Sequence, residues 1–355
     1  MAGLYVHFPF CAATCIYCDF YARVRTDWKP YVEALLREIR ERKKELDVPP
    51  ATMYFGGGTP SLLPAAELAR VADAARTTFG VQAFEEFTVE VNPDDVTPEK
   101  AAGLREAGAG RISMGVQSFN DAHLRWMHRR HTAAQAADAF ATLRKAGFDN
   151  LSVDLIFGFT GLDDAEWLQS VDRALSLRPE HISCYQMTGR WADPDEGRCR
   201  RQYALLQERL GAAGYAQYEV SNFALPGRAS RHNSAYWRRE PYLGVGAGAH
   251  SFDGNRRRSW NTPDIDAYEA SRPGGAETLS DREIFEEKMM LALRTTTGLP
   301  LSCLTSGERA LLAQKEPVLE RLSRTGKLLL ESDSLRIPAG ELFVSDGIIR
   351  ELFPD

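Results

Sequence analysis

Three of the six cysteines fall within eight residues: Cys11, Cys15 and Cys18, spaced C-x3-C-x2-C directly after the apolar run Leu4-Tyr5-Val6-His7-Phe8-Pro9-Phe10. Thiolates this close in sequence can converge on one metal centre when the loop between them curls. Structural zinc normally takes four ligands, with one C-x2-C pair answered by a second pair downstream. No second pair exists in this chain. Iron–sulfur clusters are held by cysteine thiolates, four of them in a 4Fe–4S cluster, so three local ligands would leave one iron open to an external group. Zinc, and three buried thiols with no metal at all, are the competing readings. Cys184, Cys199 and Cys303 are scattered and read as incidental.

Other residues hint at what the open iron would meet. Gly56-Gly57-Gly58-Thr59 follows an apolar run but lacks the spacing and lysine of a P-loop. Its glycines permit close approach of a ligand to the backbone, and a plain tight turn is the alternative. Glu90 could neutralise an ammonium group, Arg129 could pair with a carboxylate, and Asp154 could bind ribose hydroxyls as acidic residues do in dinucleotide folds. Singly, each is more often a structural charge. Together they describe a pocket for a nucleoside carrying an amino acid, and S-adenosylmethionine has those parts.

The elements needed to gather these residues are visible as a rhythm of short apolar runs and amphipathic helices. Strands are expected over Leu4–Phe8, Thr52–Phe55, Phe87–Val91, Arg111–Val116, Leu151–Phe157 and His181–Met187. Helices are expected over Trp28–Leu46, Pro64–Phe79, Thr97 to Gly108 with Thr97 as the cap, Ala133–Ala146 and Asp163–Leu177. Such alternation indicates a parallel sheet of right-handed βαβ units, whose functional residues gather at the C-terminal strand ends. The cysteines, the glycines, Glu90, Gln117, Asp154, Tyr185 and Gln186 all fall at or near those ends. After about residue 215 the rhythm breaks. Tyr218–Phe223 reads as a last strand and turn, His232–Trp260 as a glycine- and aromatic-rich stretch with little helical periodicity, and Asp281 onward as helical again. A helix near Glu320–Thr325, two short strands and a closing helix near Asp346–Phe353 form a winged-helix-like tail. The expected division is 1–225 and 226–355.

The chain has 355 residues, a net charge of −6, 26% charged and 44% hydrophobic residues, the balance of an ordinary globular protein with a sizeable core. The acidic balance argues against nucleic acid as a partner. No apolar run approaches bilayer length and no signal sequence is visible, which points to the cytoplasm, with at most peripheral membrane contact.

Tyr5-x-His7-x-Pro9-Phe10-Cys11-x3-Cys15-x2-Cys18, Gly56-Gly57-Gly58-Thr59-Pro60-Ser61, Glu90-Val91-Asn92-Pro93 and Gly115-Val116-Gln117-Ser118-Phe119 together resemble the radical S-adenosylmethionine superfamily, and within it the branch of oxygen-independent coproporphyrinogen III oxidase. The resemblance implies a partial (β/α)6 TIM-like barrel followed by a C-terminal α+β domain. It also implies a 4Fe–4S cluster on Cys11, Cys15 and Cys18, with S-adenosylmethionine chelated at the fourth iron and cleaved on one-electron reduction. By motif position, Tyr5, Gly57, Thr59 and Glu90 would line the ligand near the cluster. Gln117, Arg129, Asp154, Tyr17, Gly58 and Gln186 would complete the pocket.

Two departures from the oxidase bear on activity. Phe20 stands where the oxidase has a further cysteine, and the motif begins at Tyr5 without the oxidase's N-terminal extension. Both put decarboxylation in doubt, so no catalytic residue is assigned. His232-Asn233-Ser234-Ala235-Tyr236-Trp237, Tyr242-Leu243-Gly244-Val245-Gly246 and His250-Ser251 resemble instead the HNxxYW region of the haem chaperone group, with Arg258, Trp260-Asn261 and Tyr268 continuing the similarity. That resemblance implies haem as a bound group, with His232 as a candidate contact or ligand, and a hydrogen-bonded structural histidine as the alternative. It further implies apo-haemoproteins as acceptors, respiratory enzymes among them. An electron donor such as flavodoxin is implied for any radical chemistry, and a homodimer is a candidate assembly. An oxidase or a radical methyltransferase is the other function class.

Overall fold

The computed structural model describes residues 1–19 and 21–354; Phe20 lies outside the described residues. Six strands run in parallel and in sequence order: β1 (Ala2–Phe8), β2 (Pro50–Gly57), β3 (Glu86–Val91), β4 (Arg111–Gln117), β5 (Leu151–Phe157) and β6 (His181–Gln186). The main crossover helices are α1 (Lys29–Glu41), α2 (Ala65–Phe79), α3 (Pro98–Glu106), the short α4 (Asp121–Trp126) with α5 (Ala133–Lys145), and α6 (Asp164–Leu177). Thr97 caps α3 through its hydroxyl, which accepts from the Lys100 amide, and Thr132 caps α5 in a reciprocal capping box with Gln135. Strand burial is nearly continuous, as in Leu151–Phe157, because helices cover one face and the strands curl around a shared interior on the other.

The sheet continues past residue 225. After α7 (Glu196–Ala212), β7 (Ala216–Gln217) and β8 (Asn222–Ala224) form a hairpin on β6. Residues 218–221, within the stretch read as a last strand and turn, are the turn of that hairpin. The seven-residue helix α8 (Arg231–Trp237) covers the HNxxYW segment, where little helical periodicity is visible. It is too short to display two turns of amphipathic pattern, and its stop and start come from local bonds, Ser230 accepting from the Asn233 amide. Next, β9 (Tyr242–Val245) returns to pair in parallel with β1, and β10 (His250–Phe252) and β11 (Arg257–Trp260) add antiparallel strands. After α9 (Ile265–Glu269), β12 (Gly275–Thr278) is the last. The result is one open sheet of twelve strands in the order β12-β11-β10-β9-β1-β2-β3-β4-β5-β6-β8-β7. The architecture is α/β, a partial barrel rather than a closed one.

The tail begins with α10 (Asp281–Leu293), which buries Ile284, Phe285, Met289 and Leu293. It continues through β13 (Leu299–Pro300), α11 (Ser306–Ala313), α12 (Glu316–Arg324), β14 (Leu329–Leu330), β15 (Ser334–Arg336) and α13 (Ser345–Glu351). Its three strands make a separate antiparallel sheet ordered β13-β15-β14.

Glu38 of α1 ties the second half to the first. Its carboxylate accepts from Arg42 Nη1 at 2.7 Å, the Gly246 amide at 2.9 Å, Asn261 Nδ2 at 2.7 Å and the Tyr268 hydroxyl at 2.6 Å. The neighbouring Tyr31 hydroxyl donates to the His7 carbonyl and accepts from the Ala247 amide. The segment Gly244–His250 is thereby clamped behind the end of β1. Replacing Glu38 with Ala removes these four hydrogen bonds. Arg42 keeps Gly244 and Glu45 and Asn261 keeps the Gly246 carbonyl, but the Gly246 amide and Tyr268 hydroxyl lose their acceptor, a loss of about 3–5 kcal/mol by analogy with broken buried ion pairs. The expected outcome is a lower urea midpoint with an unchanged slope; an unchanged midpoint would show that the clamp contributes nothing to stability.

Candidate functional site

A cavity of about 460 Å³ opens at the C-terminal ends of β1–β6. Cys11, Cys15, Tyr17 and Cys18 line it from the loop after β1. Gly57, Gly58 and Thr59 line it after β2, Glu90 from β3, Gln117 from β4, and Asp154 and Gln186 from β5 and β6. Arg129, just beyond α4, closes one side. Tyr5 is not among the lining residues. Its hydroxyl is bonded to His7 Nδ1 at 2.9 Å, and its ring lies among Tyr54, His7 and His232 one layer below.

The cysteine loop and the glycine loop are held by backbone contact that only glycine allows. A Cβ on Gly58 would stand 2.5 Å from the Phe10 carbonyl oxygen, and one on Gly57, where φ is +112°, would stand 2.6 Å from the His7 ring. The amides of Gly58 and Thr59 donate to the carbonyls of Phe8 and Phe10, and that of Gly57 donates to Glu90. With those N–H groups committed to protein, the loop is no phosphate cradle; it fixes the position of the segment entering Cys11.

The Thr59 hydroxyl and Arg129 Nη1 each lie 3.6 Å from a sulfur, of Cys11 and Cys15 respectively. Burial pushes the Cys11 thiol up, and the Thr59 hydroxyl opposes it. Among the described residues, no three cysteine, histidine or carboxylate groups close on one point as a single metal ion requires. The three thiols border one cavity, and three cysteine thiolates are a donor set that can hold a cluster at three corners.

Arg129 carries more structure than its sequence position suggests. Its Nη2 donates to Asn92 Oδ1 at 2.6 Å and to the Gly115 carbonyl at 2.5 Å, which leaves the buried Nε with no partner among the described residues. Asn92 in turn donates to Thr59 Oγ1 at 3.1 Å. Gln117 sits at a bulge in the β4–β5 pairing with φ +71°, a left-handed conformation that costs a non-glycine residue free energy and aims its side chain into the cavity.

Glu90 is an acid of the site perturbed by its burial. Burial pushes its carboxyl up to about 7, against the Tyr54 hydroxyl at 2.8 Å and the Gly57 amide at 3.1 Å, with the Asp154 charge adding to the upward push. Asp154 is likewise raised by burial, opposed by hydroxyls of Ser183, Ser113 and Ser152 and by Arg111. An acid poised near neutrality and facing a cavity is suited to receive a cationic group.

Below this rim the interior is a polar column. His232 is 2% exposed and does not reach the cavity. Its Nδ1 is bonded to Thr52 Oγ1 at 2.8 Å, its Nε2 to the Tyr236 hydroxyl at 2.9 Å, and its amide to Glu86 at 2.9 Å. Its ring stacks on Tyr54 with centroids 5.1 Å apart. Burial and then Arg111 push this imidazole down to about 3, so it is neutral. The position fits the structural alternative, since both ring nitrogens are already engaged. Tyr54 and Asn92 are site residues that sequence reasoning misses. Tyr54 is detectable only from the register that sets it beside Glu90, and Asn92 from its place one residue beyond β3.

The Radical SAM superfamily profile matches residues 5–174. A protein named "Heme chaperone HemW" from Lactococcus lactis subsp. lactis is 36% identical over 315 residues, spanning 83% of this chain and 82% of the relative. Its namesake in Mycobacterium tuberculosis is 34% identical over 375 residues, spanning 99% and 94%. Among solved structures, coproporphyrinogen III oxidase (HemN) from Escherichia coli superposes with a TM-score of 0.86 over 99% of this chain and 90% of that one. At 21% identity that likeness speaks for the fold. Three clustered cysteines at the mouth of a six-stranded partial barrel, and identity that runs almost end to end, place this chain in the HemW family of the radical S-adenosylmethionine superfamily.

Proposed function

We propose that this protein binds haem and delivers it to apo-haemoproteins, and that the cavity of its first half holds a 4Fe–4S cluster with S-adenosylmethionine. The observation that carries this reading is the reach of the similarity. Identity to the M. tuberculosis HemW relative covers 99% of the chain, well beyond residue 174 where the superfamily match ends. In this reading the division at residue 225 is functional, with cofactor chemistry before it and haem handling after it, although the sheet is continuous across it.

Cys11, Cys15 and Cys18 would hold the cluster, which with its bound sulfonium supplies one-electron cleavage chemistry. The protein's own residues do the binding. Glu90 receives the ammonium, the free Nε of Arg129 faces the carboxylate, and Asp154 takes the ribose hydroxyls. Tyr17, Thr59, Gln117 and Gln186 border the remainder. Haem acceptors would include respiratory enzymes reached by peripheral contact from the cytoplasm. A flavodoxin-like donor would serve any reductive step, and a homodimer is the assembly proposed. Among the described residues no helix is long and apolar enough to cross a membrane.

The oxidase reading is favoured by one observation, the fold shared with coproporphyrinogen III oxidase. Anaerobic reconstitution followed by coproporphyrinogen III and S-adenosylmethionine separates the two. Haem binding and transfer to an apo-acceptor without protoporphyrinogen IX is the expected result; formation of protoporphyrinogen IX would overturn the chaperone reading.

The site has a pH signature. An acid raised to about 7 is largely protonated below that pH, while an ammonium ligand favours its ionised form. Binding below pH 7 must therefore displace a proton. Affinity for S-adenosylmethionine should weaken toward tenfold per unit below about pH 6, be greatest between about pH 7 and 8, and fall again above about pH 8 as the ligand's α-amino group loses its proton. Glu90→Gln should bind weakly with no such slope. Equilibrium dialysis across pH 5.5–8.5 (buffers chosen at about half-unit steps) reads both; a flat wild-type profile would contradict the assignment. Tyr54→Phe removes a hydrogen bond to the ionised carboxylate, an interaction of about 1.5–3 kcal/mol. Its binding profile should shift upward by about one pH unit or more, and an unshifted midpoint would separate Tyr54 from the site.

A further inference from the structure

The winged-helix-like tail lines no part of the cofactor cavity, yet it carries a groove of its own. A concavity of about 680 Å³ opens there, with Leu301, Leu304 and Leu330 on one wall and the helices α11 and α12 on the other. Leu330, on the edge strand β14, is 56% exposed, and Leu301 and Leu319 are half-buried. A single exposed leucine is ordinary, but several gathered in one groove mark an interaction surface.

The helical wall has a regular layout. Arg309, Leu312, Glu316, Leu319 and Ser323 follow one another at steps of three, four, three and four residues, the spacing that presents one face of a helix to a partner helix. The stripe crosses the junction between α11 and α12 without losing its period. Amides there still bond backward along the chain, Lys315 to the Leu312 carbonyl and Val318 to the Lys315 carbonyl. A Thr305–Glu308 capping box starts α11, and Pro317 stands in the first turn of α12, where it takes a donor out of the ladder and permits a bend. The pair thus acts as one bent helix with a continuous face toward the groove.

Charge decides the occupant. Glu316 and Glu320 stand one turn apart on this wall, both exposed and neither with an ion-pair or hydrogen-bond partner among the described residues. Arg309 is committed to the carbonyls of Leu304 and Leu301, at 3.2 and 2.6 Å, which leaves Arg324 as the free cation of the lining. An apolar groove with an acidic edge repels the propionates of a haem, and none of its lining residues is a histidine, cysteine, methionine or tyrosine that could ligate iron. The same edge excludes nucleic acid. We propose that this groove receives an amphipathic helix of the haem-acceptor protein, its apolar stripe against the leucines and its lysine or arginine side chains against Glu316 and Glu320. The proposal rests on the haem-delivery reading given above. Docking of this kind draws affinity from the apolar stripe and orientation from the charged edge. It gives the tail the task of choosing the recipient.

The test uses a fluorescent synthetic helix of about 16 residues, roughly 24 Å long at 1.5 Å per residue, with leucines at three- and four-residue steps and lysines beside them. Its controls are the same peptide with glutamates in place of the lysines and a version with the leucines scrambled. Anisotropy with the full chain should show binding of the lysine peptide alone. Leu330→Asp should weaken it about tenfold, and the double substitution Glu316→Lys, Glu320→Lys should make the glutamate peptide the better binder. Both variants change exposed side chains, and unchanged thermal midpoints would verify that they fold. The lysine peptide should also slow haem transfer to an apo-acceptor without weakening haem binding. Equal binding of all the peptides, or indifference to both variants, would overturn the groove assignment. Peptide binding that leaves transfer unslowed would overturn the acceptor as the partner, and lost haem affinity in Leu330→Asp would make haem the occupant instead. No haem binding by the wild-type chain would overturn the delivery reading, and the acceptor with it, while the peptides still decide whether the groove takes a helix.

Discussion

The structure depends on how tightly β1 is gripped at its C-terminal end. On one side the β2 loop approaches so closely that a side chain on Gly58 would enter the Phe10 backbone. On the other, a Cβ on Gly246, at φ +107°, would stand 2.4 Å from the His7 carbonyl. Hydrogen bonds reinforce both contacts, Thr59 to Phe10 on one flank and Tyr31 to His7 on the other. The segment His7–Phe10 is therefore a fixed rod rather than a flexible lead. Cys11 begins where the rod ends, and its amide is pinned once more by the Arg23 carbonyl. A ligand loop of eight residues, with few contacts of its own, thus inherits its position from a strand held on both edges.

Behind the rim, the interior column trades stability for chemistry. Arg111 is 2% exposed, with Nε and one Nη lacking partners, among Glu86 and Asp154. Buried charges of this kind cost several kcal/mol unless well paired. An apolar filling would pack as well, so the expense is explicable only if the charges serve the cavity above. Arg111 offsets part of the desolvation that raises Asp154 and Glu90. It also helps keep His181 and His232 neutral, each pushed down first by burial. Two neutral histidines then act as polar rings that saturate Ser152, Tyr218, Thr52 and Tyr236.

Legibility in the sequence followed the range of the interactions involved. Leu151–Phe157 is a strand in the structure to the residue, because Leu151, Val153 and Leu155 alternating with Ser152 and Asp154 before Ile156-Phe157 give a short apolar pattern that needs no distant partner to be recognised. The rim residues were visible because topology forces function to strand ends. What was hidden depends on register and on contacts far apart in the chain. Tyr54 acts on Glu90 across 36 residues, and β9 finds β1 across more than 230. The strands β9–β12 are three or four residues long and rich in glycine and polar groups, so local propensity is nearly silent there. His232 was singled out as a candidate contact or ligand of haem, but its type alone says nothing about which side of the barrel floor it occupies.

That placement makes the two halves one device. The helix bearing His232 plugs the bottom of the barrel, stacks on Tyr54, and through Tyr54 touches the acid that faces the cofactor cavity. The same helix presents Tyr236 to Tyr242 on the sheet extension. A displacement of α8 would therefore be felt at both places, because close-packed interiors transmit strain rather than absorb it. His232 and Tyr54 are a physical path between cofactor binding above and the extension beside β1. Coupling through it needs no direct contact between haem and cluster, only that one ligand prefers the arrangement of α8 that the other also prefers. Because such coupling is reciprocal, loading the cavity would favour one arrangement of α8 as much as that arrangement favours loading the cavity.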